Sequence, residues 1–116
     1  MEKLEFSTNW NNKLDCKCFT TIRIYNPTKH FNGNKFDVFL KEKYRYQVQV
    51  ISLGLYFLQE LTDYICYLDT GYSKAETIEI FKKMYPKTDF KNTRLVVMLL
   101  QKIDPTKPKQ ETLFNC

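Results

Sequence analysis

Several segments of the chain carry the hydrophobic pattern of β-strands. Aromatic and β-branched residues, which favour extended backbone, predominate in residues 19–25. Successive side chains of a strand point to opposite faces, so Ile22 and Ile24 share one face. Thr21 and Arg23 share the other. We expect the two isoleucines in the core, and Thr21 and Arg23 on solvent or in a polar cleft.

Three further strands are predicted from the same reasoning. Residues 36–40 and 44–53 have the composition and alternation of strands, and the short Lys41-Glu42-Lys43 segment between them indicates a β-hairpin. Residues 94–103 contain an almost continuous apolar run, which predicts a central strand buried on both faces.

Two helices are predicted before the last strand. Apolar residues recur every three or four positions through residues 57–68, and Gly71 follows as a stop signal. Ser73 and Glu76 stand three positions apart, as in a capping box, and begin a second helix. A short helix is also expected at residues 8–14.

The length of 116 residues suits one compact domain, and 43% hydrophobic residues supply a core. Strands followed by two helices and a last strand indicate an α+β fold. We expect residues 1–103 to form the domain. Residues 104–116, with two prolines and spaced lysines, are expected to form a flexible C-terminal tail.

The charge distribution favours a polyanionic partner. The net charge is +5, and basic segments at residues 13–45 and 82–116 flank an acidic segment at residues 60–79. Basic segments on one face would attract nucleic acid or an anionic membrane. The alternative, that these charges are ordinary solvated faces, stays open.

The cysteines and the single histidine limit the chemistry that the chain can carry. Cys16 and Cys18 have no second Cys or His pair in zinc spacing, so we expect neither a metal nor a cofactor. The lone His30 argues against a Ser-His-Asp or Cys-His mechanism. The polar first residues do not resemble a secretory leader, and no apolar run approaches transmembrane length. We therefore expect a cytoplasmic protein without membrane contact.

Three segments together resemble the ASCH domain, a family of the PUA-like superfamily. Residues 13–23 resemble its basic turn followed by a Thr-x-Arg strand, and residues 31–38 resemble its Gly-Asp turn that leads into a strand. Residues 61–86 resemble its two-helix insertion. The likeness extends from about residue 6 to residue 103.

This resemblance implies a small PUA-like β-barrel of about five strands, with a two-helix insertion before the last strand. It also implies a cleft for RNA or a nucleoside, lined by Thr21, Arg23 and Asp69. The guanidinium of Arg23 suits a phosphate or a base edge, and Asp69 can accept from an exocyclic amine. A plain Arg23–Asp69 ion pair that fastens a helix to the barrel is the alternative.

The leading functional hypothesis is a non-catalytic module that binds nucleic acid, with RNA favoured, or a modified nucleoside. Lys17, Lys29 and Lys35, with Arg23, would contact phosphates. No choice among RNA, DNA and free nucleoside follows from the sequence.

One branch of the ASCH family suggests the alternative of an amidohydrolase that acts on acetylcytidine. That branch resembles an enzyme that uses a lysine, a threonine and an acid. The threonine would fall on Thr21 here and the acid on Asp69. Cys18 stands where the lysine is expected, and Lys17 is one residue away, which in a strand reverses the face. The candidate catalytic residues are Thr21, Asp69 and Lys17, and the missing lysine argues against catalysis.

The tail offers a third function class. Residues 110–114 resemble the Gln-x-x-Leu-Phe peptide that binds bacterial sliding clamps, with Gln110, Leu113 and Phe114 as its anchors. This would make the chain an interaction protein of bacterial, phage or mobile-element origin. The alternative is that Leu113 and Phe114 fold back onto the sheet.

Overall fold

The computed structural model describes residues 2–104, so the tail peptide lies outside the described part. The strands are β1 (Glu2–Phe6), β2 (Cys18–Ile24), β3 (Lys35–Leu40), β4 (Lys43–Tyr56) and β5 (Leu95–Lys102). The helices are α1 (Asp63–Thr70) and α2 (Lys74–Met84), with short 3₁₀ helices at Trp10–Asp15 and Leu58–Glu60. None of the helices in residues 2–104 is long and apolar enough to cross a membrane.

The five strands form one curled sheet in the order β1-β3-β4-β5-β2. β1 runs parallel to β3, and the other neighbours are antiparallel. The sheet is a half-barrel, because its edge strands β1 and β2 do not pair with each other. This confirms the predicted α+β fold with two helices before the last strand, and it confirms β5 as an interior strand.

Apolar side chains cover both faces of the sheet. The larger core lies inside the curl and includes Phe19, Val48 and Met98. A second core, which includes Ile22 and Phe81, lies between the sheet and the two helices. The strand β2 is therefore covered on both faces, so that Thr21 is only 2% exposed even though its face was expected to be polar.

The structure differs from the prediction at the first strand and at the first of the two long helices. β1 was not predicted, because its five residues include three charged side chains and only its pairing with β3 identifies it. The predicted start of the helix at residues 57–68 was wrong, because α1 begins at Asp63. Glu60 accepts a hydrogen bond from the backbone N–H of Phe57, and Thr62 accepts one from Ile65. The first hydrogen bond caps the start of the 3₁₀ helix Leu58–Glu60, and the second caps the start of α1 at Asp63.

Other local signals are confirmed. The Ser73–Glu76 capping box begins α2. The hairpin turn consists of Lys41 and Glu42 at φ values of 51° and 69°. Such values are typical of a two-residue type I′ turn, whose twist matches the strands that it joins.

We expect the stability of this fold to decrease in mild acid because of His30. The imidazole is buried, and its Nδ1 accepts a 2.9 Å hydrogen bond from the backbone N–H of Asn26. Burial lowers the pKa of His30, so between pH 7.5 and pH 5 the unfolded chain binds a proton that the folded chain resists. Urea midpoints should therefore fall over this range, and the fall should be smaller in His30→Gln. If the urea midpoints of both proteins fall equally between pH 7.5 and pH 5, then His30 does not cause the loss of stability in acid.

Candidate ligand-binding cleft

A cleft lies at the open seam between the edge strands β1 and β2. One side is formed by the end of β1 and by residues 21–23 of β2, and the first 3₁₀ helix contributes Trp10 and Lys13. The end of α1 and the last two turns of α2 form the other side. The cleft contains about 540 Å³ of empty space, its open mouth included. It exists because the sheet stops short of closing into a barrel.

The most buried charged side chains in the cleft are Lys13 and Asp69, which contact each other. The Lys13 Nζ lies 2.9 Å from Asp69 Oδ1, and the two residues are 5% and 4% exposed. The hydroxyl of Thr20 donates to the same carboxylate oxygen at 3.0 Å. Burial lowers the pKa of Lys13, and the attraction of Asp69 opposes that shift without cancelling it.

Backbone geometry brings Lys13 to this position. Asn11 and Asn12 have φ values of 55° and 53°, a conformation that asparagine adopts more readily than most residues. The side chain of Asn11 donates to the carbonyl oxygen of Tyr67 at 3.3 Å, which docks the 3₁₀ helix on the end of α1. A side chain at Gly71 (φ 82°) would crowd Asn11. Gly71 therefore allows the left-handed backbone that ends α1, and it leaves room for the side chain of Asn11.

Arg23 joins the two sides of the seam. Its Nε donates to Thr21 Oγ1 at 3.1 Å, and its Nη2 donates to the carbonyl oxygen of Glu5 in β1 at 2.9 Å. The guanidinium carbon lies 4.6 Å from the centre of the Phe6 ring, within cation–π range. Burial lowers the pKa of Arg23. Asp69 makes its ion pair with Lys13, and none is found between Asp69 and Arg23 in the described residues.

The structure brings some of the sequence-predicted residues together and separates others. Thr21, Arg23 and Asp69 line the same cleft. Lys29 lines a shallow groove that adjoins the cleft through Arg23 and Tyr85, and it makes an exposed ion pair with Glu2. Lys17 is not among the residues that line the cleft.

The remaining basic residue, Lys35, lies beside Gly33 and Glu2, in another surface depression. Sequence reasoning missed Lys13 and Thr20. A lysine does line the cleft, but it is Lys13 of the first 3₁₀ helix and not a residue of β2. Lys13 begins the basic turn of the family resemblance, but nothing local indicates that its side chain is buried.

The cleft combines an apolar surface with charged groups. Side chains of α2, among them Phe81 and Met84, supply the apolar surface, while Lys13, Arg23 and Asp69 supply the charged groups. Such a combination is typical of small-molecule sites. In residues 2–104, no three His, Cys, Asp or Glu side chains lie close enough to hold a metal ion.

Comparison with known proteins supports the fold alone. No protein-family model matches the chain, and no curated protein matches it. Its structure is similar to the crystal structure of protein EF3133 from Enterococcus faecalis V583, of the family DUF984. The TM-score is 0.64 at 9% identity, and the match covers 96% of this chain and 86% of that one. The two proteins therefore share a fold, and the comparison shows nothing beyond it.

The Lys13–Asp69 contact should be essential for stability. Asp69→Ala leaves a buried lysine without its partner, and we expect a loss of about 3–5 kcal/mol in the free energy of unfolding. The exposed pair of Arg45 and Asp15 (3.3 Å) is the matched control, and Asp15→Ala should cost about 0–1 kcal/mol. Urea denaturation measures both. If both variants lose the same free energy of unfolding, then the buried contact stabilises the fold no more than the exposed one does.

Proposed function

We propose that the chain is an ASCH-type module that binds a nucleobase in the cleft, either as a nucleoside or within single-stranded RNA. The observation that carries this proposal is the placement of Lys13, Asp69 and Arg23 around one cleft that α2 lines with apolar side chains. A base has the matching chemistry, since its ring faces are apolar and its edges carry hydrogen-bond donors and acceptors.

The charged groups suit a base in different ways. Asp69 can accept from an exocyclic amine, although Lys13 and Thr20 already donate to one of its oxygens. Arg23 uses two of its N–H groups on Thr21 and Glu5, and a guanidinium has further donors for a carbonyl or a phosphate. Phe81 can contact the face of the ring.

An RNA backbone would follow the groove that adjoins the cleft. This groove shares Arg23 with the cleft and adds Lys3 and Lys29, so that it carries positive charge along the seam. Lys17 and Lys35 lie outside both surfaces and would contribute only to the longer-range attraction of a chain with net charge +5.

Removal of the Arg23 guanidinium should weaken binding. Arg23→Gln loses charge-assisted hydrogen bonds, each worth about 1.5–3 kcal/mol, so affinity should fall at least about tenfold. Fluorescence anisotropy with a short single-stranded RNA and calorimetry with nucleosides measure it. Arg45→Gln, at an exposed arginine away from the cleft, should bind normally.

RNA affinity should also fall steeply with salt, because phosphate contacts release counterions. Circular dichroism must show that Arg23→Gln is folded, since this side chain also links β1 and β2. No binding at low salt, or equal affinity of a folded Arg23→Gln protein, would refute the proposal.

Hydrolysis of an acylated amine is a second candidate, favoured by the buried Lys13 beside Asp69. A lysine whose pKa is lowered by burial is more often neutral, and a neutral amine can take the proton of the Thr21 hydroxyl. The hydroxyl oxygen would then attack the amide carbon of N4-acetylcytidine, and the leaving amine would receive the proton. Water would hydrolyse the acyl ester, which releases acetate and restores Thr21. Thr20 would hold Asp69 in place.

Incubation with N4-acetylcytidine, followed by chromatography, tests this candidate. We expect cytidine and acetate as products, and a rate that rises with pH as Lys13 loses its proton. Turnover should be lost in Lys13→Met and Thr21→Val, and reduced less in Thr20→Val. If the unmodified protein binds N4-acetylcytidine without turnover, hydrolysis is refuted and only the proposed binding role remains.

A further inference from the structure

The hydrogen-bonding pattern of β2 leaves one main-chain edge directed at the cleft. In an antiparallel pair, alternate residues direct their N–H and C=O groups at the partner strand. The backbone N–H of Tyr25 donates to the carbonyl oxygen of Arg94, and that of Lys102 donates to the carbonyl oxygen of Lys17. The odd-numbered residues from 17 to 25 therefore face β5. The N–H and C=O of Ile22 point the other way, towards the seam.

Ile22 lines the cleft, opposite Val97 in the register, and it is 6% exposed. Among residues 2–104, no hydrogen bond is found to its main-chain N–H or C=O, and its place in the ladder directs both away from β5. Buried backbone groups of this kind are almost always paired in folded proteins. In the cleft, either water or a bound ligand can supply that partner.

We propose that the main chain of Ile22 reads the edge of the bound base, with its N–H donating to a ring acceptor and its C=O accepting from the neighbouring donor. This inference rests on the proposed function and names the ligand chemistry: a planar heterocycle that carries a donor next to an acceptor. Uracil, cytosine and adenine all present such a pair on the Watson–Crick edge. The side chain of Ile22 is free to pack in the core between sheet and helices.

The surroundings favour a single ring over an added peptide strand. Strand addition needs several consecutive free edge groups. Here the side chain of Thr20 is held by Asp69 on one side of Ile22, and the side chain of Arg23 spans the seam to Glu5 on the other. These two side chains occupy the space that an added strand beside β2 would need.

Nuclear magnetic resonance of the full chain tests this assignment. The probes are uridine and cytidine, each compared with a derivative whose donor is methylated, 3-methyluridine and N4,N4-dimethylcytidine. We expect the unmethylated nucleosides to shift the Ile22 amide signal and slow its hydrogen exchange more than those of Thr21 and Arg23, which face β5. The methylated probes should bind at least about fivefold more weakly, because a buried carbonyl then stays unpaired.

Two substitutions provide an independent check. Ile22→Pro removes the N–H without breaking the ladder, because that N–H is on the free edge, and it should weaken binding. Ile22→Val keeps the main-chain N–H and should bind more tightly than Ile22→Pro. If Ile22→Pro does not fold, the affinity of the methylated nucleosides still tests the role of the Ile22 main chain.

The outcomes separate the two proposals. If nucleosides move the Trp10 and Arg23 signals while the Ile22 amide stays unchanged, or if the methylated probes bind equally well, then this inference is wrong and the proposed function stands. If no nucleoside moves any cleft signal, both are wrong.

Discussion

The buried contact between Lys13 and Asp69 is the constraint on which the site depends. It joins the first 3₁₀ helix to α1, and Thr20 ties the same carboxylate to β2. Removing two charges from water is costly, and the cost is offset only when each finds a close partner. The contact therefore fixes three elements in one arrangement, from residues more than forty positions apart in sequence.

The second determinant is the open seam of the sheet. A closed barrel would pair β1 with β2 and consume the main-chain groups of Ile22 in a ladder. Instead, the two edges are linked by the side chain of Arg23, which donates to a carbonyl of β1 and lies over Phe6. An exposed strand edge is normally a liability that proteins cover. Here the short helix and α1 cover part of it, and the remainder forms the cleft.

The charge state of Lys13 connects the proposed binding role to the proposed catalytic one. A protonated Lys13 is held by Asp69 and can only donate hydrogen bonds, which suits recognition. A neutral Lys13 can accept a proton, which suits catalysis. Burial moves the lysine towards the neutral form and Asp69 moves it back, so the same two residues support either role according to which influence is stronger.

Local patterns were sufficient for most of the scaffold. The alternation in β2, the hairpin turn and the Ser73–Glu76 capping box are decided by neighbouring residues, and they predicted the elements, the fold class and the Thr21–Arg23 face. β1 could not be recognised in this way, because five residues with three charges become a strand only through pairing with β3. The start of α1 was predicted wrongly, because hydrogen bonds to the side chains of Glu60 and Thr62 interrupt the helix that the apolar pattern predicts.

The candidate site was predicted in part. Thr21 and Asp69 could be proposed from sequence because a family resemblance aligned them. Lys13 was missed because a lysine in a polar turn gives no local sign that it is buried. Its role follows from the approach of two segments, made possible by left-handed backbone at Asn11 and Asn12. Sequence by itself therefore determined most of the elements, since short-range patterns decide them, but not β1 or the start of α1. Only the tertiary structure decided which charges meet and which edge stays open, because both depend on contacts between distant parts of the chain.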